Sequence, residues 1–292
     1  MDGKVVIVTG ATDGIGRVTM EALASRGARV VAIGRNPRKG EAVVAEVRSH
    51  TGNDAVSFLP ADLSRQGDIR RLAATIAGQH DRLDVLVNNA GGLFATRKVS
   101  ADGIEMTLAL NHLAYFLLTN LLLVQLQATP GARIVNVASG AHAGETLDFD
   151  DLQLARRYNG WTAYKRSKLC NLLFTYELAR RLGDAGPTVN ALHPGFVSSH
   201  LGQGRSDNSL FWRTVATLAF RFTGAVPPEK GAKTSILLAT SPELADVTGK
   251  YFVPDVTGKD HPRGRPASSS EVSRDPGVAK RLWDMSAALT SL

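Results

Sequence analysis

The stretch Thr9-Gly10-Ala11-Thr12-Asp13-Gly14-Ile15-Gly16 constrains this chain more than any other. The apolar run 5–8 leads into it, and residues 19–24 behind it are patterned as a helix. Strand, glycine turn and helix in that order place bare amides at a helix N-terminus, where unpaired N–H groups and the helix dipole favour a pyrophosphate. Gly10 permits the tight turn, Gly14 lets the backbone approach the phosphates, and Gly16 lets the helix pack against the sheet. A glycine-rich turn alone is weak, but here the flanking strand and helix that a dinucleotide site requires are both expected.

The rest of the chain keeps this rhythm. Short apolar runs at 5–8, 29–33, 55–59, 84–87, Arg133–Val137, Thr188–Leu192 and 251–253 read as seven strands. Helical segments lie between them at 19–24, 37–47, 69–76, 103–126, 162–182 and 231–239, and a last one at 278–289 closes the chain. The strands are nearly continuous in apolar residues rather than alternating, as in a parallel sheet covered on both faces. An α/β fold follows: a Rossmann-type, doubly wound, mostly parallel seven-stranded sheet with helices on both faces. No repeat or linker divides residues 1–292, which are expected to form one domain. Residues 201–228 interrupt the rhythm with an apolar helix (Leu210, Phe211, Trp212, Val215, Leu218, Phe222) and are expected to form a substrate lobe. Residues 259–270, rich in Pro, Gly, Arg and Ser, are expected to be a flexible basic loop.

Which dinucleotide binds depends on the end of the second strand. An NAD site usually offers a carboxylate there to the ribose 2′-hydroxyl. This strand ends Ile33-Gly34-Arg35-Asn36, with no acid. Arg35 suits a 2′-phosphate by charge and by its fork of donors, and Arg38 or Lys39 can assist. NADP(H) is therefore preferred and NAD(H) stays open, with Asp13 weighing mildly against the phosphate.

Composition excludes several other classes. One cysteine, Cys170, rules out an internal disulfide, and its apolar helical surroundings read as packing. The formal charge of +7 comes without aromatics interleaved among the basic residues, so no nucleic-acid partner is expected. The apolar block 115–126 is broken by Thr119, Asn120 and Gln125 and is shorter than the roughly 20 residues a membrane span needs. Residues 5–8 are too short for a signal-peptide core, so a cytoplasmic location without a membrane span is expected.

Tyr164 and Lys168 lie four apart in an expected helix and so share one face. A phenol titrates near 10 and is a poor base at neutral pH. An adjacent ammonium favours the phenolate, which fits Tyr164 for proton exchange with an alcohol or an alkoxide. By itself the pair reads more readily as a packing tyrosine beside a solvated lysine. Ser139 changes that balance. It follows the fifth strand, at the carboxyl edge where ligands bind in this architecture, and its hydroxyl can bond a substrate oxygen.

Glycine loop, Asn88-Asn89-Ala90-Gly91, Ser139 and Tyr164-x-x-x-Lys168 in this order resemble the short-chain dehydrogenases/reductases. The segments Asp102-Gly103-Ile104-Glu105-Met106-Thr107, Asn111-His112-Leu113, Phe149-Asp150-Asp151-Leu152 and Gly249-Lys250-Tyr251-Phe252 are similar to the retinol-dehydrogenase-like branch. The resemblance implies hydride transfer between a nicotinamide and an alcohol or carbonyl. Ser139 would polarise the substrate oxygen and Tyr164 would be the acid/base. Lys168 would lower the tyrosine pKa and bind the ribose, and Asn111 would hold a relay water. Gly10, Thr12, Asp13, Gly14, Ile15, Gly16, Arg35 and Asn36 would bind the cofactor from the first two strands. Asp62 and Leu63 would meet the adenine, and Asn89, Ala90 and Gly91 the adenosine. Pro194, Gly195, Val197 and Ser199 would meet the nicotinamide, Ser199 standing where the family usually has threonine. Membrane-bound members carry an N-terminal hydrophobic anchor, which is not expected here. Pairing into a homodimer through the long helices after the fourth and fifth strands is a family habit.

Leu93, Phe94, His142, Tyr158, Trp161 and Phe196 are the expected substrate wall. They are mostly apolar or aromatic, which suits a lipophilic carbonyl or alcohol. Two other classes stay open: a light-dependent pigment-type reductase, whose cysteines this chain lacks apart from Cys170, and a catalytically silent dinucleotide sensor.

Overall fold

The computed structural model describes residues 1–183, 185–197, 226–254 and 264–292. Eight strands pair among them: β1 (Val5–Thr9), β2 (Arg29–Gly34), β3 (Val56–Pro60), β4 (Val85–Asn88), β5 (Arg133–Val137), β6 (Thr188–Leu192), β7 (Lys250–Val253) and β8 (Arg265–Ala267). Their order is β3-β2-β1-β4-β5-β6-β7-β8. Neighbours from β3 through β7 run parallel, and β8 is antiparallel to β7. The chain winds outward from β1 to β3 and then restarts at β4 on the other side. This leaves a crevice at the carboxyl ends of β1 and β4, the switch point where ligands bind in such sheets.

Helices α1 (Gly14–Ala24), α2 (Pro37–Thr51) and α3 (Gln66–Gln79) follow the first three strands. After β4 come α4 (Met106–Leu108), a π-helical turn (Ala109–Leu113), α5 (Ala114–Leu121) and α6 (Leu123–Ala128). Then come α7 (Gly160–Leu182), α8 (Pro228–Thr240) and α9 (Pro276–Thr290). The alternate residues of β1 explain the two-sided burial. Val5 and Ile7 join the core beneath α3, α5 and α7, while Val6 and Val8 join the core beneath α1, α2 and α8. Both faces exclude water, as the continuous apolar runs required.

Two sequence expectations need correction. Seven strands become eight, because Arg265-Pro266-Ala267, read as part of a flexible basic loop, pairs with β7. A three-residue edge strand tolerates Pro266, which has no N–H to donate, and carries no apolar run to betray it. The single helix expected over 103–126 is instead broken: Val99 and Glu105 form an antiparallel bridge, and a π-turn interrupts the helical ladder at Asn111. The expected apolar helix within 201–228 and most of that lobe lie outside the described residues, as do Ser199 and the beginning of the 259–270 stretch.

The last helix packs on α5 and α7. The Trp283 ring centroid lies 4.9 Å from that of Phe116 and 5.9 Å from that of Phe174, and the Arg181 guanidinium sits 4.1 Å from the Trp283 ring centre. Gln66 and Arg70 of α3 hold its end by donating to the carbonyls of Leu289 and Thr290.

Candidate active site

The carboxyl edge of the sheet gathers most of the expected residues. At the end of β1, Gly10 adopts φ +65° and Gly14 adopts φ +49°, conformations that side chains resist. A Cβ on Gly16 would lie 2.2 Å from the Gly10 carbonyl oxygen, so α1 can approach the turn only with glycine there. Asp13 caps α1, accepting from the Gly14 amide, and its other oxygen pairs with Lys39 Nζ at 2.7 Å. Thr12 sits against Gly34, where a Cβ would fall 2.7 Å from Thr12 Cγ2. The turn is tied to β4 through Thr9, whose hydroxyl accepts from the amides of Asn89 (2.8 Å) and Ala90 (3.0 Å). Asn89 Nδ2 returns a bond to the Thr9 carbonyl. These contacts fix the crevice floor.

Around that floor, Arg35 is exposed and Asn36 caps α2 by accepting from the Lys39 amide. At the end of β3 the Asp62 carboxylate accepts from the amide and hydroxyl of Ser64 in a local turn, and Leu63 is buried. After β6, Gly195 donates its amide to His193 Nδ1, and Pro194 is half-buried. Val197 bridges Val226 and packs with Ile15, which brings this loop over the start of α1.

Ser139, Tyr164 and Lys168 converge beside it. Lys168 Nζ donates to the Val137 carbonyl at 2.9 Å and lies 5.7 Å from the Tyr164 ring centre. Burial pushes the Tyr164 phenol above its usual range, and a hydrogen bond with Ser139 pulls it partly back. Burial also draws the Lys168 ammonium down to about 8. The tyrosine is thus held as a neutral phenol near pH 7, and the lysine keeps most of its charge. Burial sets the direction at Tyr164, and the group that opposes it is Ser139 rather than the ammonium the sequence pointed to.

Asn111 is fully buried in the π-turn. Its Oδ1 accepts from the Gly92 amide (2.8 Å), while its Nδ2 donates to the Gly92 carbonyl (2.9 Å) and to Ser167 Oγ (3.0 Å). Its side chain clamps the loop after β4. Gly91 lies between Asn111 and Lys168: a Cβ there would be 3.3 Å from Asn111 Oδ1 and 3.7 Å from Lys168 Nζ.

The expected substrate wall divides. Trp161 and Phe196 are exposed, with Trp161 stacked on Tyr164 at 5.5 Å, and Leu93 and Phe94 are half-buried nearby in sequence to Gly92. His142 and Tyr158 are held through their polar atoms. His142 is 3% exposed, with Nδ1 against the Ser139 carbonyl (2.7 Å) and Nε2 accepting from the Ser270 amide, so it braces Ser139 from behind. Tyr158 donates to the Phe94 carbonyl and reaches Glu105 and Thr107, propping the loop onto α4. Sequence reading missed Tyr115, buried beside Lys168 with its ring centre 5.8 Å from Nζ. The available signal was its place one turn beyond Asn111, on the same helix face.

Comparison with known proteins decides the family. A sequence model described as short chain dehydrogenase matches residues 4–209. This chain belongs to the short-chain dehydrogenase family. Within it, the chain falls in the retinol-dehydrogenase-like branch. It is 42% identical over 291 residues to human retinol dehydrogenase 13, covering 99% of this chain and 85% of that protein. A solved structure of an uncharacterized Mycobacterium paratuberculosis protein superposes with TM-score 0.76 at 32% identity, over 99% of this chain and 94% of that one. The Pseudomonas aeruginosa RhlG/NADP active-site complex superposes with TM-score 0.69 at 26% identity, over 87% of this chain and 95% of that one. The family makes the chain an oxidoreductase that uses a dinucleotide and a small-molecule substrate. No described helix is long and apolar enough to cross a membrane.

Proposed function

We propose that this short-chain dehydrogenase is an NADP(H)-dependent oxidoreductase acting on a lipophilic alcohol or carbonyl, with Tyr164 as its acid/base. The observation that carries this reading is the convergence of Ser139, Tyr164 and Lys168 at the carboxyl edge of the sheet, beside a turn that accepts only glycine. A dinucleotide fits that turn. Cβ-free Gly10 and Gly16 and the amides at the head of α1 would hold its pyrophosphate. Arg35 would meet a 2′-phosphate, assisted by Lys39, and Lys168 the ribose. Gly195 and Val197 would present their backbone to the carboxamide. When bound, the nicotinamide supplies or accepts the hydride.

The protein's own part is positioning and proton transfer. Ser139 donates its hydroxyl to the substrate oxygen and withdraws charge from it. Tyr164, neutral in its buried setting, gives its proton to the oxygen as charge builds there, and takes it back when the reaction runs the other way. Lys168, held on the Val137 carbonyl, stabilises the phenolate that Tyr164 becomes. Asn111 acts through Gly92 as a positioning residue. The exposed Trp161 and Phe196 offer an apolar surface to substrate, consistent with a lipophilic molecule.

Neither rival class gains support. Cys170 is fully buried and its thiol is pushed up to about 12, which removes it as a reactive group for a pigment-type reductase. A silent sensor has no use for the aligned Ser139, Tyr164 and Lys168. A homodimer through α5 and α7 would have to form around α9, which packs on both.

The test is oxidation of NADPH with a panel of aldehydes, ketones and quinones of graded lipophilicity. Turnover favouring the more apolar members is expected. Absence of turnover across the panel, with NADPH bound, would overturn the enzymatic reading.

A further inference from the structure

Lys168 is fully enclosed, and among the described residues it makes no ion pair with a carboxylate. Among the described residues its hydrogen bond goes to the Val137 carbonyl. An ammonium so placed is costly unless something else favours its charge. The groups facing it from each packed element can be named. Tyr164 comes from its own helix, with the ring centre 5.7 Å away, and Val137 from β5. From the loop after β4 comes Gly91, a site flanked on its other side by Asn111 Oδ1. From α5 comes Tyr115, whose ring centre lies 5.8 Å from Nζ. Tyr115 is 1% exposed, and among the described residues its hydroxyl has no hydrogen-bond partner. What the position offers Lys168 is an aromatic face, and such a face attracts a cation most strongly where water is excluded.

We propose that Tyr115 is a positioning residue whose ring face holds the Lys168 side chain charged and in place beneath Tyr164. Lys168 then sits between two tyrosine rings: Tyr164, to which its charge matters in the reaction, and Tyr115, which keeps that charge from being lost to burial. Tyr115 is assigned its effect through the lysine, beside a weaker direct electrostatic coupling to Tyr164. The kinetic consequence rests on the oxidoreductase reading above; the ionisation of Lys168 does not.

The experiment follows Lys168 directly, by NMR of the Cε signals of 13C-labelled lysine in the intact protein, with the Lys168 signal assigned by loss in Lys168→Met. Tyr115→Phe keeps the face and removes the hydroxyl, so Lys168 should titrate within a few tenths of a unit of the parent. Tyr115→Leu removes the face, and the Lys168 titration should fall by about one unit. If the leucine variant does not fold, phenylalanines of increasing fluorination at position 115 weaken the face at nearly constant shape, and the titration should fall stepwise with fluorine count. A Lys168 titration unmoved by fluorination, or a phenylalanine variant shifted as far as leucine, overturns the proposal. In the carbonyl-reduction assay, the alkaline limb of kcat/KM should move to lower pH by the same amount in the same variants. If no substrate is turned over, the oxidoreductase reading fails while the NMR titration still decides the role of Tyr115.

Discussion

Lys168 Nζ reaches past its own helix to the carbonyl of Val137 at 2.9 Å, the last residue of β5 and two before Ser139. With the bond from Asn136 Nδ2 to Thr175 Oγ1 at 3.0 Å, it registers α7 against β5. It sets where Tyr164, one turn earlier on α7, stands relative to the Ser139 hydroxyl. The chemistry assigned to this site depends on that registration. The contacts around it give further expectations for single substitutions.

Gly16→Ala brings a Cβ to 2.2 Å from the Gly10 carbonyl oxygen and 2.5 Å from Asn89 Nδ2. Both neighbours are fixed, one as backbone and the other through its bond to Thr9. The helix must back away from the turn, which should cost about 1–3 kcal/mol of stability and weaken dinucleotide binding. Thermal melting and quenching of protein fluorescence by NADPH measure the two effects. Unchanged affinity in the variant would remove the glycine turn from the binding site.

Arg35→Asp should lower the preference for NADPH over NADH by roughly 10- to 100-fold, the range of a charge-assisted phosphate contact. Lys39→Met should do less, because its ammonium already pairs with Asp13 at 2.7 Å in an exposed position. The ratio of kcat/KM for the two cofactors tests this. An unaltered ratio in Arg35→Asp would refute the 2′-phosphate assignment.

His112 makes a separate prediction about acid. The ring is fully buried, with Nε2 against Ser286 Oγ, and burial draws its pKa down to about 4. The unfolded ring titrates near 6.5. Between these values the unfolded chain binds a proton that the folded chain excludes, so stability rises with pH across the window and falls on acidification through it. On the order of 3 kcal/mol should be lost between about pH 6.5 and 4 from this residue alone. Urea unfolding across that range should show a flatter slope in His112→Gln. An equally acid-sensitive variant would contradict it.

Much of this was legible from local chemistry. The run Val5 to Val8 buries every residue, so its sequence announces a central strand, and the glycines of the turn are dictated by backbone angles and contact distances. Legibility failed where a long-range contact decides. Arg265-Pro266-Ala267 becomes a strand only because β7 offers it an edge. The π-turn at Asn111 accompanies a carboxamide bound to Gly92, nineteen residues earlier. The bonds that tie His142 and Tyr158 to Ser139, Ser270, Phe94 and Glu105 are likewise invisible in the local sequence.

The most direct measurement compares NADPH binding with carbonyl reduction in Tyr164→Phe. The ring, its stacking on Trp161 and its place beside Lys168 are retained, and only the transferable proton is removed. Binding within a few-fold of the parent, together with a loss of turnover of about 10²- to 10⁴-fold, is expected for a general acid. Turnover at the parent rate would show that the proton comes from another group, and the role given to this tyrosine would be wrong.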